Sequence, residues 1–275
     1  MSGHDLGSVA IIGAGQTGTA LGLALARSGV VREIALFDRD PATSRRSHAL
    51  GAGHRAVASI EEALGADTVI LAVPVSAIVR LVDAHAGTLR PGALLLDTGS
   101  TKGVVVEAMR RSVAPSVHAI GGHPIAGTER SGPEGADAAT LVGATFALCP
   151  VRTDARALEL ASLLVRAVGA VPLEIDAVEH DRAIARTIGL PHLLSFALEA
   201  AVRSANTRHS ALAGPGLRGA TRLARSDPAM VAALCAANAS ETRAAVDELR
   251  ARLDALVACL DDEAALAAAL ADAAG

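Results

Sequence analysis

The chain has 275 residues, of which 51% are hydrophobic, and its formal net charge at pH 7 is −4. This length allows one large domain or two small ones with buried cores, and the apolar content excludes a disordered chain. The mild acidity gives no reason to expect nucleic acid or a membrane surface as a partner, and no apolar stretch is long enough for a transmembrane helix. Three cysteines form no metal-binding or CxxC pattern and no signal peptide is evident, so we expect free thiols and a cytoplasmic protein.

Short apolar segments alternate with helix-like segments over the first two-thirds of the chain, which is typical of βαβ units and a mainly parallel sheet. These segments are rich in Val, Ile and Leu throughout, as expected for strands that are covered on both faces. In chain order, the predicted strands are Ser8–Ile12, Glu33–Phe37, Thr68–Val73, Ala93–Leu96, Val117–Ile120, Thr145–Leu148 and Val171–Ile175. The predicted helices between them include Gln16–Ser28 and Asp154–Val168.

After about Glu174 no further strand is predicted, and Ala, Leu, Arg and Glu dominate the sequence. We therefore predict an α/β domain over residues 1–174 and an all-helical domain over residues 175–275. A stripe of apolar residues recurs at steps of three and four near the end of the chain: Val246, Leu249, Leu253, Leu256 and Leu260. This stripe fits either an internal packing seam or a helical dimer interface, and we expect the helical domain to form a homodimer.

The first predicted strand runs directly into a GxGxxG motif, which a predicted helix follows. Glycines in this setting permit a tight turn, close approach of the backbone to a pyrophosphate, and close packing of the helix on the strand. The N-terminus of the helix also offers free N–H groups to the phosphates. The motif predicts a Rossmann-type fold with a dinucleotide bound by Gly13, Gly15, Gln16, Thr17 and Gly18.

Asp38 ends the second predicted strand about 20 residues after this motif, where a carboxylate can bind the hydroxyls of the adenine ribose. A carboxylate repels the 2′-phosphate of NADP, so the sequence favours NAD as the cofactor. Three arginines follow closely, and Arg39 is included among the expected cofactor contacts. Because Arg39, Arg45 and Arg46 are placed to accommodate a 2′-phosphate, NADP stays open as an alternative.

Three later segments follow predicted strands and should meet at the ligand-binding edge of the sheet, where the carboxyl ends of parallel strands lie. Val73 ends the third predicted strand and Pro74 follows it, and both are expected to line the nicotinamide half of the site. Asp97–Gly103 and Gly121–Glu129 follow the next two strands and are unusually rich in reactive side chains.

His123 stands in the second of these segments, where a neutral imidazole can act as a general base near neutral pH. Ser100 is placed to orient this base or to hold a substrate hydroxyl. Lys102 is the single lysine among 25 basic residues, although arginine would satisfy a general need for positive charge. We therefore predict that Lys102, like His123 and Ser100, belongs to the catalytic set and that arginine cannot replace it.

Five motifs, in this order and over nearly the whole chain, resemble the prephenate/arogenate dehydrogenase family. They are GAGQTG at Gly13–Gly18, DTGSTKG at Asp97–Gly103, GGHPIAGTERSG at Gly121–Gly132, LPHLLSFAL at Leu190–Leu198 and GLRGATRLARSDPAM at Gly216–Met230. The resemblance implies NAD-dependent oxidation and decarboxylation of prephenate or a close analogue, such as arogenate or 4-amino-4-deoxyprephenate. It implies a small-molecule substrate, and neither nucleic acid nor membrane as a partner.

The resemblance also implies residue roles. His123 would accept the proton of the ring hydroxyl as hydride leaves that carbon for NAD, and Ser100 would hydrogen-bond within the same cluster. Arg222 would pair with a substrate carboxylate, as a planar guanidinium suits a carboxylate. The further residues implied to face the substrate are Arg218, His192, Glu129 and Thr128.

The chain departs from the family pattern at three positions. Gly189 stands where a histidine is common, Gly219 where an acid is usual, and Val231 where tryptophan is common. These changes leave the identity of the substrate open but spare the catalytic set.

Two other functions fit the Rossmann-type domain. A β-hydroxyacid dehydrogenase would use a lysine in the helical domain, and this sequence has none there. A non-catalytic dinucleotide-binding regulator would be expected to lack the set of Ser100, His123 and Arg222.

Overall fold

A computed structural model describes residues 6–126, 130–203 and 212–274. The chain divides into two compact units, Met1–Asp181 and Arg182–Gly275, the first α/β and the second helical. Within the described ranges, no helix combines the length and apolarity that crossing a membrane demands. The predicted boundary near Glu174 falls at the end of the last strand, whereas the first unit continues through Asp181 because the His180 and Asp181 side chains hydrogen-bond to the sheet domain.

The first unit contains an eight-stranded sheet with the strand order β3-β2-β1-β4-β5-β6-β7-β8. All neighbouring strands are parallel except β6 and β7, which are antiparallel, so the predicted mainly parallel sheet is confirmed. The strands are β1 Ser8–Ile12, β2 Glu33–Phe37, β3 Arg55–Ala56, β4 Thr68–Leu71, β5 Leu94–Asp97, β6 His118–Pro124, β7 Thr145–Arg152 and β8 Val171–Glu174.

Helices cover both faces of this sheet. They are α1 Gln16–Ser28, α2 Pro41–Ala49, α3 Ile60–Leu64, α4 Val75–His85, α5 Gly103–Ser112, α6 Ala155–Ala167 and α7 Ala177–Ile184. Ile11 and Ile12 are consecutive in β1, yet they join different hydrophobic clusters, since neighbouring side chains of a strand point to opposite faces. The edge strand β8 is the exception to the predicted two-sided burial, because Val171 and Leu173 are exposed.

The prediction for β6 was too short, and the short edge strand β3 was missed. The parallel pairing of β5 with β6 ends at Leu96 and Ile120, but β6 continues to Pro124 because it pairs there with the antiparallel strand β7. His123 therefore lies within a strand, opposite Ala147, and not in the loop after it. It still lies past the last residue of β6 that pairs with β5.

The second unit is built from helices. They are α8 Leu190–Arg203, α9 Pro215–Ala220, α10 Pro228–Ala237, α11 Ala239–Val257 and α12 Glu263–Ala274, with a short 3₁₀ turn at Arg222–Arg225. A π-helical turn, Ala185–Gly189, leads from α7 into α8. Pro191 lies in the first turn of α8, and the wider turn before it accommodates a residue that lacks an N–H.

The apolar stripe of α11 is only partly packed within the chain. Thr242 and Ala245, near the start of α11, are buried. Further along, Leu253 is 46% exposed and Leu260, just past the helix, is 63% exposed. An internal packing seam therefore does not account for the second half of the stripe, and the dimer-interface interpretation stays open.

Candidate active site

The glycine motif forms a tight turn between β1 and α1. Gly13 has a φ of 102°, and a Cβ there would overlap the carbonyl oxygen of Ala72. A Cβ on Gly18 would overlap the carbonyl oxygen of Gly13, so both positions require glycine. These contacts bring β1, the loop after β4 and the first turn of α1 close together.

Gly15 provides the open side of this turn. Apart from its neighbours in the chain, no described residue has an atom within 4 Å of the position that its Cβ would occupy, so a ligand can approach the backbone there. Gly15 is also the N-cap of α1 and adds no side chain to the helix terminus, while Gln16 and Thr17 are half-buried in the first turn. The backbone N–H groups at a helix N-terminus and the positive end of the helix dipole suit a pyrophosphate.

Asp38 follows β2 directly and is held against the glycine turn. Its carboxylate accepts hydrogen bonds from the backbone N–H of Ala14 at 2.9 Å and of Asp40 at 3.0 Å. Arg39 is exposed, and Arg46 forms an ion pair with Glu134 at 3.1 Å. An anchored carboxylate at the end of β2 fits ribose hydroxyls better than a 2′-phosphate.

Val73 and Pro74 follow β4 at the same edge of the sheet. Val73 is half-buried, and its Cγ1 lies 2.6 Å from the position that a Cβ on Gly13 would take. Pro74 is exposed and precedes α4. The predicted cofactor residues are thus brought together around one turn, and this cradle fits a dinucleotide.

A buried ion pair joins the two motifs that carry the reactive side chains. Lys102 and Asp97 are both 0% exposed, and the ammonium of Lys102 binds the carboxylate of Asp97. The ammonium also donates to the carbonyl oxygen of Gly122 at 2.6 Å. Asp97 in turn accepts hydrogen bonds from the backbone N–H of Gly99 at 2.7 Å and of Gly122 at 2.9 Å.

Two glycines make room for this ion pair. A Cβ on Gly121 would lie 3.1 Å from Cδ of Lys102, and a Cβ on Gly122 would overlap the carbonyl oxygen of Asp97. Gly122 is therefore required by the backbone of β5, and Gly121 leaves room for the lysine side chain. Lys102, which we predicted to belong to the catalytic set, is fully buried against β6, the strand that carries His123.

His123 is 7% exposed and takes part in a chain of hydrogen bonds. Its Nδ1 lies 2.9 Å from Nε2 of His180, and Nδ1 of His180 lies 2.8 Å from Oδ1 of Asp181. The carboxylate of Asp181 also accepts from the backbone N–H of Lys102 and of Gly103, both at 2.7 Å. Asp181 therefore caps the N-terminus of α5, directly after the motif that carries Ser100.

The surroundings set the charge of these groups. Burial, together with the positive charge of Lys102 and the neighbouring His180, holds the pKa of His123 well below its usual value of 6.5. Burial acts to raise the pKa of Asp181, but hydrogen bonds from His180, Lys102 and Gly103 outweigh it, so the pKa is lowered. At neutral pH the site therefore contains a neutral His123 and an ionised Asp181.

His180 and Asp181, both buried, were missed from the sequence. The available signal was a His–Asp dipeptide shortly after the last strand. Ser100 is half-buried on the loop before α5, and no hydrogen bond joins it to His123 among the residues that the structure describes. Nε2 of His123 makes no hydrogen bond to a described residue and is available to a substrate.

In the second unit, the buried Ser195 of α8 holds the turn that carries Arg222. Its hydroxyl donates to the carbonyl oxygen of Ala220 and accepts from the N–H of Ala224, both at 3.0 Å. Arg222 is exposed, and no acidic side chain pairs with it in the described parts of the chain. A fixed backbone with an unpaired guanidinium suits the binding of a carboxylate.

Two other predicted substrate residues lie in this unit. Arg218 is exposed and donates to the carbonyl oxygen of Ala213 at 2.9 Å. His192 is half-buried in α8, and its Nδ1 donates to the carbonyl oxygen of Ile188 at 2.8 Å. The remaining two, Thr128 and Glu129, lie outside the described residues.

The three departures from the family pattern differ in their surroundings. Gly189 is buried, but the nearest atom to a Cβ there would be Oγ1 of Thr242 at 3.7 Å, an ordinary contact distance. Gly219 is exposed, and no described residue beyond its own surroundings in the helix lies within 4 Å of its Cβ position. Val231 is 4% exposed and packs in the helical core.

Comparison with known proteins gives matches to both units. The model of the prephenate dehydrogenase nucleotide-binding domain matches residues 21–174, and that of the prephenate dehydrogenase dimerization domain matches residues 176–270. A protein named probable prephenate dehydrogenase NovF from Streptomyces niveus is 36% identical over 186 residues, which are 66% of this chain and 49% of that protein. The match thus spans about half the length of that relative.

A cyclohexadienyl dehydrogenase from Zymomonas mobilis is 30% identical, over 80% of this chain and 77% of its own. Among solved structures, prephenate dehydrogenase from A. aeolicus in complex with hydroxyphenyl propionate and NAD⁺ has a TM-score of 0.87 and 28% identity. That alignment covers 97% of this chain and 95% of the other. The predicted family, fold class and nucleotide-binding domain are confirmed, and the chain belongs to the prephenate dehydrogenase family.

Proposed function

We propose that this protein is an NAD-dependent dehydrogenase that oxidises and decarboxylates prephenate or a close analogue of it. The observation that carries the proposal is His123, a buried and neutral imidazole whose Nε2 is left without a hydrogen bond to any described residue. A general base of this kind is what the oxidation of a hydroxyl requires. Membership of the prephenate dehydrogenase family supports the same reaction.

The cofactor supplies hydride acceptance when it is bound. Gly13, Gly15 and Gly18 form the turn that would receive its pyrophosphate, with Gln16 and Thr17 at the helix N-terminus. Asp38 would bind the adenine ribose, which favours NAD over NADP. Val73 and Pro74 would line the nicotinamide side.

The chemistry at His123 follows from its Nε2, to which no described residue hydrogen-bonds. Nε2 takes the proton of the substrate's ring hydroxyl as the carbon that bears this hydroxyl loses hydride and becomes a carbonyl. The electrons of the bond to the departing carboxylate then pass into the ring, which becomes aromatic, and carbon dioxide leaves. The ring oxygen gains the negative charge and takes the proton back from His123, so the base is regenerated.

The substrate carboxylates require cationic partners. We assign Arg222 to one of them because its turn is fixed by Ser195 and its guanidinium has no acidic partner in the described chain. Arg218, His192, Thr128 and Glu129 are proposed to complete the substrate contacts, and Ser100 to hold the ring hydroxyl. The lone lysine is enclosed in an ion pair with Asp97, which argues against the lysine-dependent β-hydroxyacid chemistry.

We also propose that the protein acts as a homodimer in the cytoplasm. The dimerization-domain match and the exposed apolar side chains of Leu253, Val257 and Leu260 support association through α11. Changing Leu253 and Leu260 together to arginine should convert the dimer to a monomer in light scattering. A parent protein that is already monomeric would contradict the proposal.

One assay tests the reaction. Prephenate, arogenate and 4-amino-4-deoxyprephenate should each be offered with NAD and with NADP, and reduced cofactor and carbon dioxide measured together. We expect equal amounts of the two products from at least one substrate, with NAD preferred. Because the chain has no Trp or Tyr, NADH fluorescence also reports binding without intrinsic background. Cofactor binding with no turnover of any of the three substrates would contradict the proposed function.

A further inference from the structure

The proposed base, His123, is the first of three buried side chains that are joined by hydrogen bonds. The other two are His180 and Asp181, and we call the three residues the relay. His180 is 3% exposed and Asp181 is 7% exposed, so water does not compete for these contacts. The imidazoles of His123 and His180 meet edge to face, with ring centroids 5.2 Å apart and an interplanar angle of 68°. This geometry places the lone pair or proton of one nitrogen opposite the other.

The direction of each hydrogen bond follows from the carboxylate end. An ionised Asp181 can only accept, so Nδ1 of His180 carries a proton and donates it. With this proton as the only one on the His180 ring, its Nε2 accepts, and Nδ1 of His123 donates to it at 2.9 Å. Because a neutral imidazole has one proton, Nε2 of His123 is left with its lone pair, which is the form that a general base requires.

Asp181 is itself fixed by two backbone donors. The N–H groups of Lys102 and Gly103 bind its two carboxylate oxygens at 2.7 Å each. Both backbone groups can only donate a hydrogen bond, so they stabilise the ionised carboxylate and hold it in this orientation. The start of α5 therefore determines, through two imidazoles, which nitrogen of His123 is protonated.

We propose that Asp181 and His180 are positioning residues that set the tautomer of His123 and share the positive charge it gains during the reaction. When Nε2 of His123 takes the substrate proton, the Nδ1 proton can shift along the hydrogen bond towards His180, and the negative carboxylate offsets the charge. The proton returns to the ring oxygen after carbon dioxide leaves, so no net proton stays in the relay. The charge-sharing part rests on the proposed function, whereas the tautomer does not.

The charges that face the relay make such an offset necessary. Lys102 lies close enough to lower the pKa of His123, and its own charge is already paired with Asp97. An imidazolium formed beside it would be buried and without a partner if Asp181 were absent. Burial of an unpaired charge is among the costliest features in a protein.

The tautomer can be read directly from the nitrogen chemical shifts of the histidine rings in ¹⁵N-labelled protein, without substrate. The signals of His123 are assigned by their loss in His123→Asn. In the parent protein we expect the Nδ1–H tautomer at His123 and at His180. Asp181→Asn should turn His123 to the Nε2–H form, because an amide group can donate to His180 and reverse the chain.

The kcat values of three variants separate the effect of the His123 tautomer from the effect of charge sharing. Asp181→Asn should lower kcat by up to about 10⁴-fold, the loss seen when an amide replaces the carboxylate behind a catalytic histidine, with KM changed far less. His180→Gln keeps an acceptor for His123 and a donor for Asp181, so it should preserve the tautomer but still lose part of kcat. His180→Leu should lose both.

Asp176→Asn is the matched control, since Asp176 is an exposed carboxylate that also binds the N–H of a helix start and asparagine serves there equally well. It should leave the spectrum and kcat unchanged. An Nε2–H tautomer at His123 in the parent would overturn the proposal. An unchanged tautomer of His123 in a folded Asp181→Asn variant would also overturn it. If Asp181→Asn does not fold, His180→Leu takes its place, and retention of the Nδ1–H form of His123 in that variant would overturn the proposal. If no substrate is turned over, the proposed function fails while the tautomer result still stands.

Discussion

Removing the charge of Lys102 should destabilise the first unit and misplace both motifs that carry reactive side chains. Lys102→Met keeps most of the side-chain volume but leaves Asp97 ionised and buried without its cation. Breaking a buried ion pair from one side costs about 3–5 kcal/mol. The backbone donors of Gly99 and Gly122 remain on Asp97, so we expect the lower part of this range.

A domain of this size loses about 2–4 °C in Tm for each kcal/mol, so a loss of about 3 kcal/mol should lower the Tm of the variant by about 6–12 °C. Circular dichroism measures this transition, and steady-state turnover below the transition measures the effect on the site. Turnover should fall even in the folded protein, since Lys102 binds the carbonyl of Gly122, next to His123. A Tm within measurement error of the parent would refute the importance of the pair.

Two further variants test the cause. Adding Asp97→Asn to Lys102→Met removes the uncompensated charge and should recover much of the lost Tm, because neutral replacements of a buried pair are often tolerated. Lys102→Arg keeps the charge, but the larger guanidinium needs more room than the buried site beside Gly121 provides. Overpacking of this kind costs about 1–3 kcal/mol. A double variant no more stable than Lys102→Met, or a fully active Lys102→Arg with the Tm of the parent, would contradict this account.

Four further predictions concern the proposed reaction. His123→Asn should reduce kcat by several orders of magnitude while NADH still binds with the affinity of the parent, as measured by fluorescence. Because the pKa of His123 lies well below 6.5, the base is unprotonated throughout the neutral range, and kcat/KM should not fall between about pH 7.5 and 6.5; a decline with a midpoint near 6.5 would contradict the lowered pKa. Arg222→Lys should raise KM strongly with a smaller change in kcat, since lysine keeps the charge but not the planar fork; an unchanged KM would remove Arg222 from the site. Asp38→Ala should weaken NAD binding and narrow the preference over NADP in titrations with both cofactors, and a parent that prefers NADP would refute the assignment.

The sequence by itself determined the features that depend on neighbouring residues. Continuous apolar runs predicted seven of the eight strands, because strands covered on both faces need apolar residues at every position. The glycine turn was equally readable, since its strand, turn and helix are consecutive and each glycine answers a local steric demand. The motif around His123 was likewise predicted to lie at the ligand-binding edge of the sheet, because it directly follows a predicted strand in the sequence.

Only the tertiary structure decided which side chains lie behind His123, the proposed base. His123 and His180 are 57 positions apart, and Asp181 lies 79 positions from the backbone N–H of Lys102 that it binds. No periodicity links such positions, because the contacts exist only after β5 and β6 pair and α7 packs beside them. Lys102 shows the same limit: its rarity marked it as special, but the enclosed carboxylate of Asp97 and the space left by Gly121 determine what it does. A buried charge takes its role from the groups that surround it in space, and the order of residues along the chain does not contain them.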